Sequence, residues 1–352
     1  MRIDKESNIR WGIIGCGQIA YDKVMPALAA ADNADLVALS DPDAAQLDRA
    51  RVAFPQAKCY AEMNGVLADD SVDAVYIATP NFLHAEQAIA AASAGKHVLV
   101  EKPMAINAAE ARQMVEAAEQ ANVKLMVAYM TLFNPAYKAA KRVVDAGMLG
   151  DVVSVRGRHS YVISPESISS AAAWRLDRDH GGGPLMDVAV YPTFTLRDLT
   201  RLRITELCAT GAVRQLHGET EFDSVLLTFL LEDGTPGVIE ATFTYAASHI
   251  ELEGTRGRLA LIGHVTQAIA GRLEVELWMP GQHAVGEQIT HEIVPGGLPH
   301  FYNYLGEVEH FGDCILNEET PVSSGREALH EMLVADATRE SIRSDRRIEL
   351  RH

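Results

Sequence analysis

Three stretches of this 352-residue chain hold residue types that can do chemistry together. Gly15-Cys16-Gly17-Gln18-Ile19-Ala20 is a G-x-G-x-x-A turn directly behind an apolar run. The first glycine of such a turn permits the tight bend, the second lets backbone approach a pyrophosphate, and the small third residue lets a helix pack on a strand. The N–H groups that open the helix then face an anion. Asp41, 26 positions after Gly15, ends the next apolar run. A carboxylate there accepts hydrogen bonds from both ribose hydroxyls of an adenosine and repels a 2′-phosphate, which favours NAD over NADP as cofactor. If Asp41 is only a turn residue, its neighbour Ser40 is the group left to face that phosphate.

Asp187 and Tyr191 stand at i and i+4 behind three glycines and Pro184, a spacing that predicts a carboxylate and a phenol on one helical face. Such a pair can hold a carbinol and move its proton, and hydride transfer to a nicotinamide requires that a base take this proton. Lys102 is a further candidate. A free lysine titrates at about 10.4, and burial beside a positive nicotinamide ring lowers it towards the working range.

The elements that must position these residues follow from periodicity. Apolar runs at 10–15, 36–40, 74–78, 97–101 and 125–128 alternate with amphipathic stretches at 81–94 and 107–122. The first of these stretches ends at Gly95; the second opens with Asn107 and Glu110, a pattern like a capping box. Strands alternating with helices predict a doubly wound parallel sheet. After a helix opened by Asn134-Pro135, the texture changes near residue 150. Runs at 152–162, 206–215, 224–231, 238–245, 249–253, 258–262 and 272–278 predict a large, mostly antiparallel sheet with one open face, and helices at 302–316 and 326–343 follow. The fold class is therefore α/β, a Rossmann-type domain followed by a second α/β domain.

Composition narrows the partners. Lys and Arg number 31 against 48 Asp and Glu, a formal charge of −17, which opposes nonspecific binding to nucleic acid or an anionic membrane. No uncharged apolar run reaches the roughly 18 residues of a membrane span. Arg2, Asp4, Lys5 and Glu6 do not read as a secretory leader. Cys16, Cys59, Cys208 and Cys314 are dispersed, which predicts free thiols in a cytoplasmic protein. The histidines show no HxH or HExxH spacing, so no catalytic metal is expected.

Ala78-Thr79-Pro80-Asn81-Phe82-Leu83-His84, Val100-Glu101-Lys102-Pro103 and the run from Gly181 to Tyr191 follow the glycine turn in that order. Together they resemble the Gfo/Idh/MocA oxidoreductases, the group of glucose-fructose oxidoreductase and inositol dehydrogenase. The resemblance implies a nucleotide domain over 1–128 and a substrate-binding and oligomerisation domain over 129–352. It implies that Lys102 contacts substrate and cofactor, that Thr79, Pro80, Asn81, His84 and Glu101 lie at the cofactor, and that Trp174 and Arg175 contact substrate. Asn81 also reads as an ordinary helix N-cap. The family's downstream motif is usually D-x-x-x-H, and here Tyr191 stands at the histidine position. That departure resembles the branch of glucose-fructose oxidoreductase, aldose dehydrogenases and dimeric dihydrodiol dehydrogenases, in which tyrosine is the acid/base. Tyr191 is then the proton donor or acceptor, Lys102 lowers its pKa and Asp187 orients substrate. Leu132 stands where many relatives carry arginine, which implies a pocket less suited to an anionic or heavily hydroxylated ligand.

The implied activity is hydride transfer between nicotinamide C4 and a carbinol or carbonyl carbon of a sugar, polyol or cyclic diol. The competing expectation is a non-catalytic regulator of the same fold that senses a dinucleotide. A homodimer or homotetramer is expected, with Val225, Leu227, Phe229 and Leu231 on the outward face of the open sheet.

Overall fold

The computed structural model describes residues 8–163, 170–216, 221–263, 271–278, 285–292 and 297–350. The charged positions Arg2 to Glu6 lie outside the described residues. The chain divides into two units, one comprising Met1–Met130 with Pro299–Leu329 and the other Thr131–Leu298 with His330–His352.

The first unit is built on β1 (Ile9–Ile14), β2 (Ala34–Ser40), β3 (Lys58–Tyr60), β4 (Ala74–Ile77), β5 (His97–Glu101) and β6 (Leu125–Ala128). These form one sheet in the order β3-β2-β1-β4-β5-β6, and every pairing is parallel. The order reverses between β1 and β4, and in open parallel sheets ligands bind beyond the strand C-termini at such a switch point. The strands are apolar on both faces because helices cover both. Trp11, Ile13, Tyr76, Val98 and Val100 are all buried.

Helices α1 (Met25–Ala30), α2 (Ala44–Ala53), α3 (Met63–Leu67), α4 (His84–Ser93) and α5 (Ala108–Gln120) connect these strands. The start of α5 is capped as its sequence predicts: Asn107 Oδ1 accepts the Glu110 N–H at 2.9 Å, and Glu110 reaches back to the Ile106 N–H at 3.4 Å.

In the second unit, α6 (Pro135–Asp145) opens with Asn134 accepting the Ala136 N–H at 2.8 Å. Two short helices follow β7 (Val152–Ser160), namely α7 (Pro184–Asp187) and α8 (Val190–Thr200). The sheet continues through β8 (Ile204–Ala212), β9 (Ser224–Leu231), β10 (Pro236–Thr242), β11 (Ala247–Gly254), β12 (Gly257–Ile262), β13 (Arg272–Trp278) and β14 (Val285–Glu292). The chain then re-enters the first unit as α9 (Tyr302–Leu316). It passes to the second along α10 (Gly325–Ser344) and ends on β15 (Ile348–Glu349). The nine strands run in the order β14-β13-β12-β11-β7-β10-β9-β8-β15, antiparallel except for β7 with β10.

Two expectations need correction. The sequence reading places all residues after 128 in the second domain, yet 299–329 belong to the first unit. There the Trp11 and Phe311 rings lie 5.8 Å apart, and the Asn33 amide donates to the Glu309 carbonyl and the Asp313 carboxylate at 2.9 and 2.8 Å. Val225, Leu227, Phe229 and Leu231 are buried rather than outward. They lie on the face covered by helices, where Leu227 shares a small cavity with Leu185, Ala189, Val190, Val334 and Ala335. The other face shows Leu226, 45% exposed, beside charged pairs: Arg158 with Glu240 at 2.9 Å and Arg258 with Glu276 at 2.8 Å. Among the described residues no helix is long and apolar enough to cross a membrane.

Candidate active site

Each unit carries its own cluster. In the first, Gly15 adopts φ +93°, the left-handed region that favours glycine, and its N–H donates to the Ser40 carbonyl at 2.9 Å. A Cβ on Gly15 would lie 3.0 Å from the backbone of Ala78, whereas one on Gly17 would meet nothing within 4 Å. That open space above Gly17 is what close approach of a pyrophosphate requires, so the turn fits a dinucleotide. Ala20 is buried, and from it the chain runs through a π-helical turn, Ala20–Val24, into α1. The helix opens at Gln18 and Ile19, and the N–H groups of a helix's first turn have no partner within the helix.

Asp41 directly follows β2, with both carboxylate oxygens engaged by backbone: Oδ2 accepts the Cys16 N–H at 2.7 Å and Oδ1 the Asp43 N–H at 2.8 Å. The Cys16 amide, expected at the cofactor, therefore ties the glycine turn to Asp41. Its thiol points inward to the Ser40 carbonyl, and burial pushes it up to about 12. Ser40 is buried as well, its hydroxyl 3.3 Å from the Ile13 carbonyl, so it is an inward-facing strand residue and not a phosphate contact.

Beyond β4, Thr79 packs its methyl group against the position a Gly15 Cβ would take and donates its hydroxyl to Gln87 at 2.6 Å. Pro80 leads into a 3₁₀ turn, Asn81–Leu83, and Asn81 is buried at its start. His84 is buried with Nδ1 2.8 Å from the Pro103 carbonyl and Nε2 3.0 Å from the Thr79 carbonyl. Burial lowers its imidazole to about 4. A neutral ring donates to only one of these carbonyls, so His84 joins the loop after β4 to the loop after β5 through one hydrogen bond and one close contact, with both ring nitrogens facing backbone rather than a nicotinamide ribose. The second loop begins at Glu101, whose Oε1 accepts the Tyr76 hydroxyl at 3.0 Å and whose Oε2 accepts the Lys102 N–H at 3.2 Å. Lys102 is half-buried, and its bond to Pro103 is cis.

The second unit brings together Asp187, Tyr191, Tyr161, His159, Trp174 and Arg175. Asp187 is the last residue of α7 and Tyr191 the second of α8, so the expected single helical face is broken between them. The cause is Pro192, which has no N–H for the Val188 carbonyl that a continuous helix would need. Asp187 Oδ2 accepts the Tyr161 hydroxyl. Burial, followed by the Asp187 charge, pushes the Tyr161 phenol well above its ordinary value, so it stays a donor. The buried Tyr191 ring lies 4.9 Å from that of His159, tilted by 58°, and His159 Nδ1 lies 3.3 Å from the Ser248 hydroxyl. Arg175 places its guanidinium 4.6 Å over the Trp174 ring and its charge acts on Tyr161. Its carbonyl accepts the Gly183 N–H at 2.8 Å, which anchors the glycine run before α7. His180 turns away to Asp177 at 2.7 Å.

His159 lies in β7 and Tyr161 directly follows it, and neither has a motif of its own. Their only signal is position, at the end of the strand that the fold sets against α8. Among the described residues no group of three or more His, Cys, Asp or Glu could hold a metal ion.

A glycine turn at a sheet's switch point, an acidic residue just after β2 and a separate carboxylate–phenol cluster define a nicotinamide-dinucleotide oxidoreductase. Residues 9–129 match the oxidoreductase family with an NAD-binding Rossmann fold, and residues 137–260 match the GFO/IDH/MocA C-terminal domain. The chain belongs to the Gfo/Idh/MocA family. It is 30% identical to D-xylose 1-dehydrogenase (NADP(+)) 2 of Haloferax volcanii over 97% of this chain and 99% of that protein. It is 26% identical to scyllo-inositol 2-dehydrogenase (NAD(+)) of Bacillus subtilis over 98% and 97% of the two chains. The crystal structure of aldose-aldose oxidoreductase from Caulobacter crescentus, complexed with glycerol, superposes with a TM-score of 0.86 at 25% identity, covering 97% of this chain and 100% of that one.

Proposed function

We propose that the enzyme moves hydride between nicotinamide C4 and a carbinol or carbonyl carbon of a sugar, polyol or cyclic diol, with NAD as the preferred dinucleotide. The bound cofactor supplies the hydride acceptor or donor. The protein holds the dinucleotide at Gly15–Ala20 and Asp41, and it handles the hydroxyl proton. The observation that carries the reading is the pairing of Tyr161 with Asp187, with Tyr191 near enough to act electrostatically on Tyr161. Because Tyr161 donates to one oxygen of Asp187, that carboxylate stays an acceptor, and its other oxygen can orient a substrate hydroxyl. Tyr191 accepts the proton from the carbinol as the C–H pair leaves, or returns it to the carbonyl oxygen in the reverse direction. The positive charge of Lys102 stabilises the tyrosinate. Trp174 with Arg175 offers an apolar face and a donor fork to a hydroxylated ring.

Preference for NAD rests on Asp41, since a carboxylate already fixed by two amides cannot turn away from a 2′-phosphate. The relatives named above include enzymes of each cofactor type, so the comparison leaves this choice to Asp41. A homodimer or homotetramer built on the charged open face of the nine-stranded sheet completes the proposal. Light scattering that finds a monomer at micromolar concentration overturns that part. The activity is tested by following reduced nicotinamide absorbance with a panel of aldoses, polyols, anhydrosugars and cyclic diols, each with NAD and NADP. Turnover of at least one carbohydrate, faster with NAD, is expected. Tight dinucleotide binding without turnover on any of them points instead to a sensor of the same fold.

A further inference from the structure

Glu307 of α9 is 0% exposed and lies in the first unit below the loop that carries Lys102. Its Oε2 is 3.4 Å from the Tyr76 hydroxyl, which is also 3.0 Å from Glu101 Oε1. One phenolic proton therefore stands between two carboxyl groups. Among the described residues Glu307 Oε1 has no hydrogen-bond partner. An ionised Glu307 would be a buried anion with no donor of its own, facing a second anion, which is among the most costly arrangements in a protein interior. A proton on Glu307 removes that conflict. Its O–H then donates to the Tyr76 oxygen, Tyr76 donates to Glu101, and Glu101 Oε2 accepts the Lys102 N–H at 3.2 Å. Burial first, then the Glu101 charge, pushes Glu307 well above the usual carboxylate range, and burial does the same to Tyr76. The titratable groups that act on Tyr76 and Glu307 include Glu101 on β5 and Tyr304 on α9 itself.

We propose that Glu307 is a positioning residue for the Lys102 segment, a buried hydrogen-bond donor that fixes Glu101, through Tyr76, beneath the Lys102 backbone. Its importance for turnover rests on the oxidoreductase reading above; the hydrogen-bond chain itself does not. The two are separated by pairing an infrared measurement with kinetics on the full-length protein. In the wild type a carboxylic acid carbonyl stretch is expected throughout the neutral pH range and is absent from E307Q. The amide of E307Q can donate in place of the acid, so kcat/KM and its pH profile stay within about threefold of wild type. Glu307→Leu, which cannot donate, lowers kcat by about 2- to 10-fold and moves the pH limb that reports Lys102 and Tyr191. Tyr76→Phe breaks the same chain and reproduces that shift, which keeps the test decisive if the leucine variant folds poorly. Absence of the acid band, or its titration near neutrality, overturns the proposal. So does a leucine variant with lowered thermal stability but unmoved kcat and pH limb. If wild type turns over no substrate, the oxidoreductase reading fails, while the band and the NADH affinity of Tyr76→Phe, expected to fall, still decide the chain.

Discussion

Gly15→Ala and Gly17→Ala separate what the glycine turn does for the fold from what it does for the cofactor. At Gly15 the backbone sits at φ +93°, where an L-residue costs roughly 1–2 kcal/mol. The new methyl would also stand 2.9 Å from the Thr79 methyl and 3.0 Å from the Ala78 carbonyl group. Backbone cannot yield as a side-chain tip can, so overpacking adds about 1–3 kcal/mol. The sum, about 2–5 kcal/mol, corresponds to a fall in Tm of roughly 4–20 °C at 2–4 °C per kcal/mol. Gly17 has an ordinary φ and open space around its Cβ position. Gly17→Ala therefore keeps its stability within about 0.5 kcal/mol. Its methyl would instead occupy the space assigned to the pyrophosphate, and NADH binding should weaken by about 10- to 100-fold, equivalent to about 1.4–2.8 kcal/mol. Thermal melts and NADH fluorescence titrations of both variants measure the two effects. A Gly17→Ala protein that binds NADH as wild type does would refute the assignment of the phosphates to this turn. A Gly15→Ala protein with wild-type Tm would refute the steric account.

Three further predictions follow from the clusters. Tyr191→Phe should lower kcat by about 10²- to 10⁴-fold, the range for losing a general acid/base, with NADH affinity unchanged in fluorescence titration. Asp41→Ala removes the acceptor for the Cys16 and Asp43 amides; NAD binding should weaken about tenfold or more while the gap to NADP narrows, as paired titrations with the two dinucleotides would show. Burial holds the folded His84 and His97 imidazoles at about 4, against an ordinary value of 6.5. The unfolded chain takes up protons below about 6.5 that the folded chain refuses until about 4, so stability is full above that window and falls as pH drops through it. Each histidine contributes about 3 kcal/mol to that loss, and urea titrations of His84→Gln should show a correspondingly shallower acid limb.

The parallel sheet was legible because each strand is a short apolar run fenced by helices with explicit caps, such as Asn107 with Glu110. The second sheet was legible as alternation, but its facing was not. In β9 both parities carry apolar residues, with Leu226 and Leu230 interleaved among Val225, Leu227, Phe229 and Leu231, so the residues alone did not say which set α7, α8 and α10 would cover. The short edge strands β3 and β15 leave no signal in the sequence, because so few residues show no period. The return of α9 to the first unit had no sequence signal either, since an apolar helix face does not name its partner.

At the site, residue type marks the motif positions but not the direction in which their side chains point. Cys16, Ser40 and His84 lie in the right loops, yet the structure uses Cys16 and Ser40 to fix the turn and His84 to join two loops. Tyr161 and His159 needed the register of β7 before they could be aimed at Asp187 and Tyr191.

The central claim is direct hydride transfer, and its most direct test uses a substrate from the panel deuterated at the reacting carbinol carbon. With enzyme and NAD, mass spectrometry and NMR of the reduced dinucleotide should find the deuterium on one face of nicotinamide C4, with none lost to solvent. Reduced dinucleotide without the label, or label released to water, would contradict the account.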